Sequence, residues 1–170
     1  PKLRKVALAI FPESRINEGN PMQGMKNADL KLCQFDDEEE EVNWVLGRAK
    51  SDARPGDPCV ILFPKHEAIY DFFCTYAESK GLKDPPTGYG TGRRPKIKYG
   101  DEFRDYLRDN DLEFVDFLGS GHGSLDQSDT KPTVFLMTFH SSKGLDFKSV
   151  FIPGMNSNVR IVRKEELEED

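Results

Sequence analysis

Apolar and polar positions follow two periods along this chain, and the changes of period mark its elements. The densest apolar run is residues 133–139 (Thr-Val-Phe-Leu-Met-Thr-Phe), which stops at His140-Ser141-Ser142-Lys143-Gly144. A second apolar run, residues 150–152, follows and ends in Pro153-Gly154. Two buried strands joined by a short polar loop or turn of helix fit this pattern. Cys59-Val-Ile-Leu-Phe63 is another continuous apolar run, the mark of a strand buried on both faces of a parallel sheet, and Pro64 ends it. Ile69, Phe72, Phe73, Tyr76 and Ala77 then recur at helical spacing up to Gly81, a suitable residue to close a helix. Val42, Val45, Leu46 and Ala49 predict a helix reaching about Lys50, with Asp36 and Glu39 at capping-box spacing and Trp44 packing beside the apolar face. Residues 28–35 alternate Leu30 and Leu32 with polar neighbours and predict a strand; Phe103, Tyr106 and Leu107 predict a short helix, and residues 112–118 a strand. At the ends, Val6, Ala7 and Ile10 fit a short amphipathic helix before Pro12, and a small apolar piece (Val159, Ile161, Val162) precedes a charged helix start. Strands separated by helices predict an α/β domain with a mainly parallel sheet, and 170 residues suffice for one core, residues 1–170.

Composition changes this picture little. Hydrophobic residues make up 36% and charged residues 32%, a globular protein on the polar side, and no apolar run approaches the roughly 18 residues of a membrane helix. Cys33, Cys59 and Cys74 are odd in number, have no paired spacing and lie in apolar segments, which predicts buried reduced thiols in a cytoplasmic protein and no zinc site. The net charge of −6 is concentrated: residues 36–41 and the last six hold eleven of the 30 acids, leaving 19 against 24 basic residues, about +5. The first acidic run reads as a solvated helix start, in keeping with the helix dipole, ahead of metal binding or nucleic-acid mimicry. Residues 82–100 are rich in Gly and Pro, with Lys83, Arg93, Arg94, Lys96 and Lys98 beside Tyr89 and Tyr99. They read as a flexible excursion, either a solvated loop or a segment that tracks a nucleic-acid backbone.

Candidate chemistry gathers in one place. Residues 140–146 hold an imidazole, two hydroxyls, an ammonium, a glycine and a carboxylate at the end of a buried strand. Gly119-Ser-Gly-His-Gly123 lacks the G-x-G-x-x-G spacing and is followed by no helical pattern, so it reads as a turn rather than a phosphate cradle. His66 and His122 have no partner spacing and read as surface or loop histidines. No G-x-x-x-x-G-K-[ST] occurs anywhere.

The stretch Leu136-Met137-Thr138-x-His140-x-Ser142-Lys143-Gly144-Leu145-Asp146-Phe147-x-x-Val150-Phe151 resembles motif V of the UvrD/Rep/PcrA-like superfamily 1 helicases. A weaker resemblance to the run through motif IV covers residues 28–81, and the two together take in residues 28–81 and 112–154. The resemblance implies a RecA-like three-layer domain, the second (2A) half of a two-domain motor, with residues 82–111 in place of the family's 2B insertion. It implies single-stranded DNA contacts by His140 and Thr138, and ATP contacts by Lys143, Gly144 and Asp146. Asp146 stands where the family has Glu, one methylene longer. The motif IV arginine aligns near Pro64, leaving Lys65 as the nearest cation for the nucleotide. ATP and Mg are then bound together with a first motor domain on the same polypeptide, which supplies the P-loop, so no catalytic residue and no metal ligand is assigned here. The resulting expectation is a fragment of an ATP-dependent DNA helicase, inactive alone. The alternative is a helicase-derived module without catalysis, serving a repair or nuclease complex.

Overall fold

The computed structural model describes residues 31–89, 94–119 and 123–155. The chain forms two compact units, Pro1–Gln34 and Phe35–Asp170. Of the first, residues 31–34 are described; they form no strand, and Leu32 is 82% exposed. The strand expected over residues 28–35 is therefore not formed in its described part, 31–35. Alternation specifies a strand only where a partner ladder exists and one face is buried. The helix expected around Val6 and the tail elements beyond Gly154-Met155 lie outside the described residues.

In chain order the second unit contains α1 (Glu38–Asp52), β1 (Cys59–Phe63), α2 (His66–Lys80), β2 (Thr87–Tyr89), β3 (Pro95–Ile97), α3 (Asp101–Asp109), β4 (Val115–Phe117), a 3-10 helix (Leu125–Asp129), β5 (Val134–Thr138) and β6 (Ser149–Phe151). Four strands make one sheet in the order β4-β5-β1-β6, with every neighbouring pair parallel. This is the α/β architecture expected, and the two continuously apolar runs, β1 and β5, occupy its centre as buried strands must. The register sets Phe63 beside Thr138 and Phe117 beside Leu136. The carboxyl ends of β1, β5 and β4 therefore emerge along one edge, where ligands of open parallel sheets bind.

The larger core lies on one face, where Ile61, Phe63, Val134, Leu136, Val115 and Phe117 meet the apolar stripes of α1, α2 and α3. On the opposite face Val60, Phe135 and Met137 are covered by Leu118, Leu125 of the 3-10 helix and Phe147. The capping residue of α1 is Asp37, one position later than the spacing suggested: its carboxylate accepts from Glu40 N at 2.7 Å, while Glu40 reaches back to Asp36 N at 3.1 Å. Gly81 closes α2 in the left-handed conformation, φ 64°, and Leu82 N donates to Ala77 O at 2.8 Å, as expected of a terminal glycine.

Four expectations are corrected by packing. Residues 82–111 are not a loose excursion in their described parts: β2 and β3 pair as an antiparallel hairpin, and Ile97, Phe103 and Leu107 are buried in the main core. Composition counted the glycines and charges, whereas a few apolar anchors decide where a segment docks. The run at 150–152 is not buried, since β6 pairs with β1 at the end of the strand order and leaves Val150 49% exposed. Trp44 stays 42% exposed, packing its ring on Phe35 (centroids 5.4 Å) and Phe151 (6.5 Å) rather than entering the core. Of the cysteines only Cys59 is buried; Cys74 is half-buried and Cys33 exposed.

Candidate functional site

The dense polar cluster lies in a ten-residue loop, residues 139–148, longer than the short connection expected. It begins where Phe139 N donates to Phe63 O at 2.9 Å, extending the β1–β5 ladder by one rung, and it ends where Lys148 N donates to Pro58 O at 3.0 Å. Phe147 anchors the return, its ring 6.2 Å from Phe135 on the second sheet face. The loop thus starts at the carboxyl edge of the sheet and comes back to the opposite end of β1.

Its first turn is braced from within. Ser142 N donates to Thr138 O at 3.1 Å and Leu145 N to Ser142 O at 3.1 Å. Ser141 N donates to Thr138 Oγ1 at 3.2 Å, the two hydroxyls lie 2.8 Å apart, and Ser142 Oγ donates to Phe139 O at 3.0 Å. Serine and threonine hydroxyls that bond nearby backbone stabilise such turns at the expense of regular structure. Gly144 has φ +84°, a backbone conformation that disfavours a Cβ, although the space around it is open.

With the turn held this way, His140, Lys143, Gly144 and Asp146 are all exposed, whereas Thr138 is 5% exposed with its hydroxyl committed to Ser141. The two residues expected to face DNA therefore differ in kind: one presents its ring to solvent, and the other holds the turn. Lys65 is exposed immediately after β1, which ends beside β5, and occupies the cap position of α2 without a side-chain cap bond. Ser141 was not singled out from the sequence, although a hydroxyl three residues beyond Thr138 is a recognisable local bonding pattern. Beside the turn, an open groove of about 540 Å³ separates it from the segment after β4, with Met137, Leu118, Ser124 and Leu145 along its sides. Ser124 caps a five-residue 3-10 helix, so no α-helix N-terminus follows Gly123 to hold a phosphate; residues 120–122, with His122 and the turn expected there, lie outside the described residues.

His66 departs from the surface role expected of it. It is half-buried at the start of α2, with Nδ1 3.1 Å from the hydroxyl of Tyr99. Burial pushes its pKa below 6.5, the Lys96 charge adds to this, and Glu67 opposes both. Tyr99, whose own pKa is raised by burial, joins His66 to the aromatic group of Phe103 and Phe117. The neutral imidazole is the form the fold favours. Its contribution to stability is complete above pH 6.5 and is lost as pH falls through the depressed folded value. The fall in Tm between about pH 8 and about pH 5 is expected to be smaller in His66→Gln than in the wild type, because Gln carries no titrating proton. An equal fall in both proteins would contradict this assignment.

A parallel sheet with helices packed against it and a polar loop at its carboxyl edge is the arrangement of RecA-like α/β domains. Residues 96–170 match the UvrD-like helicase C-terminal domain. The chain is similar to ATP-dependent DNA helicase PcrA of Staphylococcus epidermidis strain RP62A, 37% identical over an alignment of 93 residues that takes in 45% of this chain and 13% of the relative. It is also similar to ATP-dependent DNA helicase PcrA of Staphylococcus aureus strain Mu50, 36% identical over 86 residues, covering 43% of this chain and 12% of the relative. The matched region is thus a small part of the curated relatives' length. No solved structure matches the chain. No helix among the described residues is long and apolar enough to cross a membrane.

Proposed function

We propose that this domain is one half of an ATP-dependent DNA helicase motor, and that the loop after β5 couples the nucleotide to a single strand of DNA. The observation that carries this reading is the braced turn at the carboxyl edge of the sheet, which leaves His140 exposed within the segment that matches the helicase family. His140 contacts the single strand, Thr138 holds the turn that presents it, and Lys143, Gly144 and Asp146 meet the nucleotide, with Lys65 as a further cation. This domain carries no G-x-x-x-x-G-K-[ST] and supplies edge contacts, while the phosphate cradle and the acid that holds Mg belong to an N-terminal RecA-like domain of the same polypeptide. Residues 82–111, whose described parts form two paired strands and a helix, take the place of a 2B insertion. Such a protein works in the cytoplasm on DNA and needs no membrane.

Purified intact polypeptide is expected to hydrolyse ATP only when single-stranded DNA is added, and the isolated 170 residues are expected not to hydrolyse it. His140→Ala should weaken the DNA stimulation by about tenfold, the scale of losing one stacking or hydrogen-bonding contact. Asp146→Ala should raise the KM for ATP by about tenfold with kcat little changed, as removal of a ground-state contact does. Unchanged kinetics in both variants would refute these roles. DNA binding without any turnover would favour the second reading, a helicase-derived binding module, which the Pro64-Lys65 pair in place of an arginine supports.

A further inference from the structure

We propose that Asp116 closes the outer edge of β4 and keeps a second copy of this chain from adding a strand there. Among the described strands β4 stands at one end of the sheet and pairs on one side only, with β5. Phe114 O accepts from Val134 N at 2.7 Å, and Leu118 N donates to Leu136 O at 3.2 Å. Residues 114, 116 and 118 thus turn their backbone groups toward β5, and the alternate residues 115 and 117 turn theirs outward. An outward row of that kind is a template for another chain. Neither outward donor is open here. Val115 N donates to Leu112 O at 2.9 Å, and Phe117 N donates to Asp116 Oδ1 at 2.8 Å.

Asp116 is costly where it stands. It lies between Val115 and Phe117 in a strand buried throughout, is 6% exposed, and sits beside Phe135 in register. A carboxylate there pays a desolvation cost that an apolar side chain does not. Its compensating contacts lie at the strand edge. They are the Phe117 amide and Arg104 of α3, whose Nε is 3.9 Å from Oδ1 and whose guanidinium lies 4.9 Å over the Phe117 ring. Outside the strand is a small cleft of about 160 Å³, with Arg104, Arg108, Glu113 and Lys131 along its rim. An inward-pointing charge on an edge strand, with charged side chains around it, deters pairing by another strand.

The test compares the intact polypeptide with its Asp116→Val and Asp116→Asn variants by sedimentation velocity over a concentration series, with urea unfolding to confirm that each is folded. Valine frees the Phe117 amide and suits a strand, whereas asparagine keeps an acceptor oxygen in the same place. Asp116→Val is expected to self-associate at least about tenfold more tightly than the wild type, because two symmetry-related amides each gain a partner. Asp116→Asn is expected to behave as the wild type. Association through any other surface is common to all three proteins, so the difference between them reports β4. An unchanged Asp116→Val, or an Asp116→Asn that associates as strongly, overturns the inference. Asp116→Ala takes the place of the valine variant in the same comparison if the latter does not fold. Residue-resolved hydrogen exchange on the wild type gives a check that needs no variant. The Phe117 amide should be protected, and exchange at the rate of an open amide overturns the inference.

Discussion

Phe73→Ala is expected to lower the free energy of unfolding by about 3–5 kcal/mol, the range for truncating a fully buried aromatic ring. Phe73 is 0% exposed on α2, with ring centroids 5.6 Å from Phe72 and 5.5 Å from Phe103. Phe103 in turn lies 6.0 Å from Phe117 and 6.1 Å from Tyr99, so Phe73 stands where α2, α3 and β4 meet. Rigid rings on the neighbouring elements cannot collapse into the void, which keeps the cost at the upper end. Urea unfolding should give a lower midpoint at unchanged m. Thermal unfolding should shift by roughly 10 °C in a protein of this size. Trp44→Ala is the comparison: its ring is larger but 42% exposed, and it should cost less than about half as much. An equal loss in the two variants would mean that the aromatic core is not where these contacts put it.

Gly123→Ala should be the most damaging of the loop substitutions. Two effects add. At φ +77° any L side chain is strained by about 1–2 kcal/mol. The new Cβ also meets Phe117 O at 2.0 Å, and that carbonyl belongs to a strand whose ring is buried and whose ladder to β5 is intact. Backbone rather than a flexible side chain has to move, so a total above about 2 kcal/mol is expected. Gly144→Ala separates the two effects, because its φ is +84° and nothing lies within 4 Å of the added atom. It should show only the conformational part, about 1–2 kcal/mol. Chemical denaturation of both variants measures the difference. A Gly144→Ala loss as large as that of Gly123→Ala would remove the packing role assigned to Gly123.

The strands at 59–63 and 134–138 and the helices at 38–52 and 66–80 were legible because each is bounded locally. Pro64 stops β1, Gly81 stops α2, and acids open α1. Their periods match the element they form, and burial rewards that period directly. Misreadings arose where the outcome depends on a distant partner. Residues 31–35 alternate but have no ladder. Residues 150–152 are apolar but take an outer position in the strand order, and Ile97 and Tyr99 are two residues in a glycine- and charge-rich stretch. His66 has no sequence neighbour that foretells a hydrogen bond to a tyrosine 33 residues away.

The same division runs through the candidate site. Residue order alone placed an imidazole, hydroxyls, a cation and a carboxylate in one loop after one buried strand, because neighbours in sequence stay neighbours in space. The burial of Thr138 beside Phe63, and the approach of Gly119 to Ser141, required the parallel registers of β5 against β1 and β4. Local periodicity encodes which face of a segment is apolar. Only the packed sheet decides which loops meet at its edge, since strands that pair there come from positions far apart in the chain.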